Sequence, residues 1–316
     1  MSSSDLALPM IRTARTRRPR SLDDHRDRLL LLMVLPAVLL IAVLVAYPLY
    51  VMADIALHDV KLFQVMQHVD RPATLRNFER VLSDPRVGQA LQVSALYVAG
   101  TTALAFLWGL ATALLLNRPF RGRRLVRIAI VSPWAVASVV ASLVWMFLLD
   151  AQAGIVMHAL TAAGLLDQPI NLLMSPVWAL VTVVLVSAWK GYPFFTIMLL
   201  AGLQAVPQDS LDAARVDGAG GIRRFFWVTL PSLRPVIAVS VSLSLLSAFR
   251  EVETIMVLTG GGPARTTETL ALSIYNRTFQ YFEVGRASAL GVIVFAISLL
   301  LVLASLRTFL PKEAQR

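Results

Sequence analysis

Long apolar stretches separated by short polar ones dominate the chain. Six of them, near 29–52, 90–116, 126–149, 176–203, 235–257 and 286–308, are long enough for a helix rising about 1.5 Å per residue to cross about 30 Å of hydrocarbon. The pattern predicts an all-α fold: a polytopic membrane protein with six transmembrane helices over 29–308, a flexible head over 1–28 and a short tail over 309–316. The first stretch opens with Leu29 to Leu32. It is too long for a signal-peptide core and lacks a small-residue cleavage pattern behind it, so it reads as a retained span. The fourth and fifth stretches are the least regular, the fourth carrying Lys190 and the fifth Arg250, Glu251 and Glu253.

Composition agrees with a bilayer as solvent. Apolar residues are 57% of 316 and charged residues 15%, too little polar surface for a soluble domain of this length. The formal charge of +10 invites a nucleic-acid reading, but its distribution speaks for a membrane. Nineteen Lys and Arg fall in the head, the 117–127 loop, the 204–234 loop and the tail. The alternate side carries Lys61, Arg71, Arg76, Arg80 and Arg86, none in 150–175, then Arg265 and Arg277. The positive-inside bias therefore predicts both termini in the cytoplasm, with the basic clusters facing anionic headgroups and no nucleic-acid partner. There is no cysteine, and His25, His58, His68 and His158 are scattered without ligand spacing, so no metal site is expected. No Walker-type phosphate-binding run occurs, so any nucleotide chemistry belongs to a partner and the chain is not itself expected to be an enzyme.

Between the fourth and fifth stretches lies a structured polar segment. Pro207 closes the fourth helix, and Asp209 or Ser210 is placed to cap a short one through Asp212, Ala213, Ala214 and Arg215. Gly218, after Asp217 and before Ala219, permits a tight left-handed turn. A second short helix is expected over Ile222 to Thr229, including Phe225 and Val228, with Leu230 and Pro231 ending it and Pro235 opening the next span. Two readings fit these residues: a knob on which another protein docks, and an interfacial helix resting on lipid through Phe225, Phe226 and Trp227.

The segment resembles the cytoplasmic coupling loop of the membrane subunits of binding-protein-dependent ABC importers. That motif runs Glu-Ala-Ala, three residues, Gly, nine residues, Ile, any residue, Leu-Pro. Asp212, Ala213, Ala214, Gly218, Val228, Leu230 and Pro231 fill it at the same spacing, with Asp for Glu and Val for Ile. Leu203 to Pro207, Arg127 with Ser132, Pro133, Trp134 and Trp145, Leu258 to Pro263 with Thr266 and Thr267, and Gly285 to Ala289 look like further parts of the sugar-type permeases related to the maltose, trehalose and glycerol-3-phosphate systems. The resemblance covers about residues 30–308 and implies the type I ABC importer permease fold. It implies a second homologous permease subunit, two copies of a cytoplasmic ATPase subunit that hold ATP and magnesium, and an extracytoplasmic substrate-binding protein. The cargo implied is a sugar or related small solute, moved across a bacterial-type inner membrane; no cofactor is implied in this chain.

Charged and aromatic residues at bilayer depth suggest the passage. Lys190, Arg250, Glu251 and Glu253 should face protein or water, since charge against lipid is costly. Arg250 and Glu253 are spaced for an ion pair on one helical face, whereas Glu251 lies off it. Trp189 and Tyr192 sit beside Gly191 and Pro193, expected to interrupt the fourth helix; stacking on a sugar and plain packing between helices both fit them. Thr259, Gly260, Gly261, Gly262 and Pro263 form an external turn, which the resemblance places under the binding protein and which the residues alone read equally as a plain loop. The alternative function is an ion-coupled secondary transporter using Arg250, Glu251 and Glu253. It expects internal repeats, and none is convincing.

Overall fold

The computed structural model describes residues 20–61, 63–64 and 72–309. The expected head up to residue 19, Arg71 and the tail from residue 310 lie outside the described residues. Among the described residues every regular element is helical. In chain order these are α1 (Arg20–Ala56), α2 (Arg76–Leu82), α3 (Pro85–Leu116), α4 (Arg123–Ala135), α5 (Ser138–Leu148), α6 (Ile155–Ala162), a 3-10 turn (Leu172–Met174), α7 (Pro176–Gln204) and α8 (Gln208–Val216). They continue with α9 (Gly221–Arg224), a π turn (Phe225–Thr229), α10 (Leu230–Ser232), α11 (Arg234–Phe249), α12 (Glu253–Leu258), α13 (Leu270–Phe279) and α14 (Val284–Phe309). The chain divides into two compact units between Val51 and Met52. The first contains most of α1, a helix that carries Pro36 and Pro48. All that follows concerns the second.

Among the described residues four helices are long and apolar enough to cross a membrane, and six if each of two bent pairs counts as one span. The backbone of the second unit is the pair α3 and α7. Helix α3 begins with Pro85, whose missing N–H costs nothing there, and the Asp84 carboxylate accepts the Arg86 N–H at 3.0 Å. The pair packs closely because small residues line the seam. A Cβ on Gly109 would lie 2.3 Å from the Cβ of Phe195, and Gly100 faces Val184. Phe106 and Phe195 meet edge to face at 5.8 Å. Hydroxyls bridge the same helices: Tyr97 donates to Ser187 at 2.9 Å, and Thr112 and Thr196 are 2.7 Å apart.

Two apolar clusters flank the middle of this pair. One gathers Tyr97, Val183, Phe249, Ile255, Leu270 and Leu290. The other gathers Ala113, Leu116, Phe195, Leu199, Leu203 and Leu233. Beside the first cluster, Asn77 of α2 donates from Nδ2 to the carbonyls of Ala56 at 3.0 Å and His58 at 2.8 Å, pinning the end of α1.

Several expected elements differ. The third stretch, 126–149, is two helices bent by 102°, not one continuous helix. Pro133 near the end of α4 and the extended backbone of Val136 explain why the ladder stops there. The fifth stretch, 235–257, ends as a helix at Phe249, leaves Arg250 to Val252 non-helical and restarts at Glu253. Conversely, Gly191 and Pro193 do not interrupt the fourth helix. Helix α7 runs through both, and the tight α3 seam on either side holds the backbone in register.

Candidate functional site

Two regions on the second unit bear the chemistry, a knuckle at one end of α3 and a cavity at its middle. The knuckle starts at α8. Pro207 is its N-cap and makes no side-chain hydrogen bond, so the capping role expected of Asp209 or Ser210 is absent; the helix starts too early for it, with both residues already inside its first turn. Asp209 instead lies in the first turn and Arg215 in the last, both signs favourable to the helix dipole, and Asp212 pairs with Arg215 one turn on. The helix ends in a Schellman arrangement: Ala219 N–H donates to the Ala214 carbonyl at 2.9 Å and Gly218 N–H to that of Arg215 at 3.0 Å. This needs a left-handed residue, and Gly218 has φ +75°.

Beyond the turn, Pro231 does not end the second helix. Helical backbone continues from Gly221 to Ser232, and the bend of 67° comes between Ser232 and Arg234. The π turn over Phe225–Thr229, which includes Val228, supplies the reason. It widens the ladder where the Pro231 ring would otherwise meet the Trp227 carbonyl four residues back. Leu230 and Pro231 then form the first positions of α10. The knuckle presents Val216, Ile222, Phe226 and Trp227 to the outside, while Phe225, Leu211 and Arg215 border a cleft of about 610 Å³ against Leu114, Asn117 and Arg118. Ala213, Ala214, Asp217 and Ala219 thus occupy α8 and its exit, beside the exposed apolar tip.

At mid-length of α3 and α7, between the two apolar clusters, lies a cavity of about 200 Å³. Tyr97, Thr101, Ser187, Lys190, Ser247 and Glu251 give it a polar wall, with Trp134 and Gly191 at its side. Lys190 Nζ donates to the Val136 carbonyl at 3.0 Å, in the bend between α4 and α5. Glu251 accepts the Thr254 N–H at 2.9 Å and so caps α12 across the break in the fifth stretch.

Of the six residues expected along the passage, only Lys190 and Glu251 reach this cavity. Trp189 meets Trp145 edge to face at 5.4 Å, and Tyr192 meets Trp108 at 6.3 Å. Each packs against an aromatic ring of another helix, and neither lines the cavity. Arg250 and Glu253 are exposed and form no ion pair with each other, because the helix stops between them and their shared face is lost. Sequence reasoning missed the hydroxyls. Ser240, Ser242, Ser244 and Ser247 crowd one otherwise apolar helix, and that density was the available signal.

At the opposite end of α3 from the knuckle, the turn Thr259 to Pro263 is ordered by its own hydrogen bonds. Thr259 and Thr267 hydroxyls lie 2.7 Å apart, and Thr267 donates to the Gly262 carbonyl at 2.8 Å. Gly260 and Gly261 take φ of +60° and +91°. The Gly262–Pro263 peptide is cis. Beside this turn Arg277 donates to Asp84 at 2.6 Å. Burial alone would raise the Asp84 carboxyl, but hydrogen bonds from Arg277 and the Arg86 N–H, with both guanidinium charges, hold it below the ordinary carboxylate range.

The profile of a family described as binding-protein-dependent transport system inner membrane component matches residues 105–314. The chain is 33% identical over 294 residues to the sulfoquinovosyl glycerol transport system permease protein of Agrobacterium fabrum, covering 92% of this chain and 93% of that one. It is 34% identical over 269 residues to the trehalose/maltose transport system permease protein of Thermococcus litoralis, covering 85% and 89%. Its fold is similar to a chain of a crystallised bacterial ABC transporter involved in the import of the acidic polysaccharide alginate. There the TM-score is 0.74 at 21% identity, over 92% of this chain and 98% of that one.

Proposed function

The chain belongs to the inner membrane components of binding-protein-dependent transport systems, and we propose that, as a sugar ABC importer permease subunit, it couples to a cytoplasmic ATPase through residues 209–231 and passes solute by the cavity at Lys190 and Glu251. The observation that carries the coupling role is the knuckle itself. It offers an apolar tip of Ile222, Phe226 and Trp227 on a backbone fixed by a Schellman turn. A rigid element of that kind moves as a unit with α7 on one side and α11 on the other.

The mechanism follows from this stiffness. Two ATPase subunits, which hold ATP and magnesium, close on each other and carry the knuckles of two homologous permeases with them. The permeases rock from inward-facing to outward-facing, and an extracytoplasmic binding protein delivers solute. A polar pocket with a carboxylate and several hydroxyls suits a polyhydroxylated solute, whose hydroxyls both donate and accept. The charge asymmetry of the sequence supports both termini in the cytoplasm, with the knuckle on that side. The 32-residue α3 supports the same separation of ends, since at ~1.5 Å per residue it exceeds the ~30 Å hydrocarbon layer.

Gentle detergent extraction followed by affinity purification tests the reading: a stoichiometric ATPase is expected to co-purify. Reconstituted into liposomes, the complex should take up sugar only with ATP inside and binding protein outside. Uptake by the isolated chain on a proton gradient alone would overturn it.

A further inference from the structure

The outer end of α3 carries a charged basin of about 400 Å³ that the transport path does not use. Its floor is Arg277, only 7% exposed, which donates to Asp84 at 2.6 Å and lies 3.6 Å from Glu283. Arg286 pairs with Glu283 at 2.9 Å and Arg265 with Glu268 at 3.1 Å. Each of the three carboxylates in the basin therefore has an arginine. The arginines number four, which leaves one positive charge in excess. That excess has an address, because Arg86, exposed in the first turn of α3, has no ion-pair partner among the described residues. The Arg277 Nε is likewise buried with no hydrogen-bond partner among them.

The rim is preshaped. Ala264 and Arg265 follow one another at φ +47° and +63°, a conformation that costs a non-glycine residue roughly 1–2 kcal/mol. The Thr266 hydroxyl, donating to the Pro263 carbonyl at 2.8 Å, and the Thr267 bond to Gly262 hold the turn against that cost. The result keeps Arg265 beside the basin in the free protein. Guanidinium forks match a carboxylate in a bidentate geometry, and exposed charge pairs speed encounter more than they add affinity, which suits a contact made and broken each cycle.

We infer that this basin, at Arg86 and Arg277, is the seat of an acidic side chain of the extracytoplasmic solute-binding protein. The inference rests on the importer reading above and on the orientation given there. The test uses the complete transporter in nanodiscs with its binding protein, reading the binding-protein concentration that half-stimulates ATP hydrolysis at several potassium chloride concentrations. Arg86→Glu is expected to raise that concentration about tenfold at low salt, equivalent to ~1.4 kcal/mol. Arg86→Gln should raise it less and flatten its salt dependence, whereas Arg86→Glu, which leaves the basin with an excess negative charge, should reverse that dependence. Arg76→Glu, exposed on the same side but outside the basin, should leave it within about twofold. Amidating the carboxylates of the binding protein should abolish the difference between wild type and Arg86→Glu.

An unchanged half-stimulating concentration and salt dependence in Arg86→Glu would overturn the basin as a seat. A change only in the KM for solute at saturating binding protein would also overturn it, by making the basin a solute subsite. If the binding protein fails to stimulate even the wild-type complex, the importer reading fails first, so the two failures are distinguishable.

Discussion

The ammonium of Lys190 on α7 donates to the carbonyl oxygen of Val136, 3.0 Å away, where α4 turns sharply into α5. One side chain thereby satisfies a carbonyl that the broken ladder leaves open, and the positive charge sits where that oxygen dipole favours it. Val136 is 36% exposed beside a cavity, so water competes for the same oxygen. Lys190→Met should therefore destabilise by ~0.6–1 kcal/mol, near the average for polar contacts inside membrane proteins and not the ~3 kcal/mol of a sealed acceptor. Lys190→Arg should recover most of the loss. Thermal melting of the complex in nanodiscs, with uptake measured alongside, reads both; a Met variant that melts like wild type counts against the bond.

The turn at Gly218 separates conformation from space. A side chain there meets no atom within 4 Å, so substitution is penalised only through φ. For valine the left-handed backbone costs roughly 1–2 kcal/mol, whereas asparagine adopts it readily. Gly218→Val should assemble with the ATPase but lose most ATP-coupled uptake, while Gly218→Asn should retain it. Normal uptake by the valine variant sinks the proposed coupling role.

Two glycines of the α3–α7 seam should respond oppositely to alanine. At Gly109 the new methyl would meet the Phe195 Cβ at 2.3 Å and the Tyr192 carbonyl at 3.0 Å, atoms fixed to the backbone. Overpacking of this kind costs roughly 1–3 kcal/mol. At Gly191 the nearest atom is the Ala105 Cβ at 3.7 Å, an ordinary contact, so Gly191→Ala should be neutral or slightly stabilising through helix propensity. Melting temperatures of the two purified variants check the contrast.

The Asp84–Arg277 pair makes a statement about pH. A folded carboxyl held below its ordinary value of 3.8 contributes stability that is fully present above that value and lost as pH falls through the lower folded value. Asp84→Asn keeps an acceptor for the Arg86 N–H but removes the charge, and should cost roughly 1.5–3 kcal/mol at neutral pH, the range for hydrogen bonds to charged groups. Wild-type and variant stability should run parallel from pH 5 to 8 and converge only in acid. Convergence above pH 5 would contradict the pairing.

These residues also show what a linear pattern reveals. Hydropathy announced the apolar stretches because windows of twenty or so residues average over local detail. For the same reason it hid the bend at Val136, where apolar character continues unbroken while the backbone leaves the helix. Pro193 misled in the other direction: a helix can carry proline when its neighbours hold it, and the closeness of Gly109 to Phe195 is a fact of three dimensions. Arg250 and Glu253 marked an irregular place, but their supposed pairing presumed a helix that stops between them. The Gly218 turn of the knuckle was legible because a glycine and its spacing are local, whereas the cap expected of Asp209 or Ser210 is not made. The cavity was not, because Tyr97, Ser187 and Glu251 come from three distant segments.

The hydrogen bonds that shape the Gly218 turn run from main chain to main chain, from Gly218 to Arg215 and from Ala219 to Ala214. Stiffness and recognition are therefore written in different atoms. None of those bonds involves the outward side chains Ile222, Phe226 and Trp227, so under the proposed coupling role exchanging these side chains alone should re-address the permease to a foreign motor.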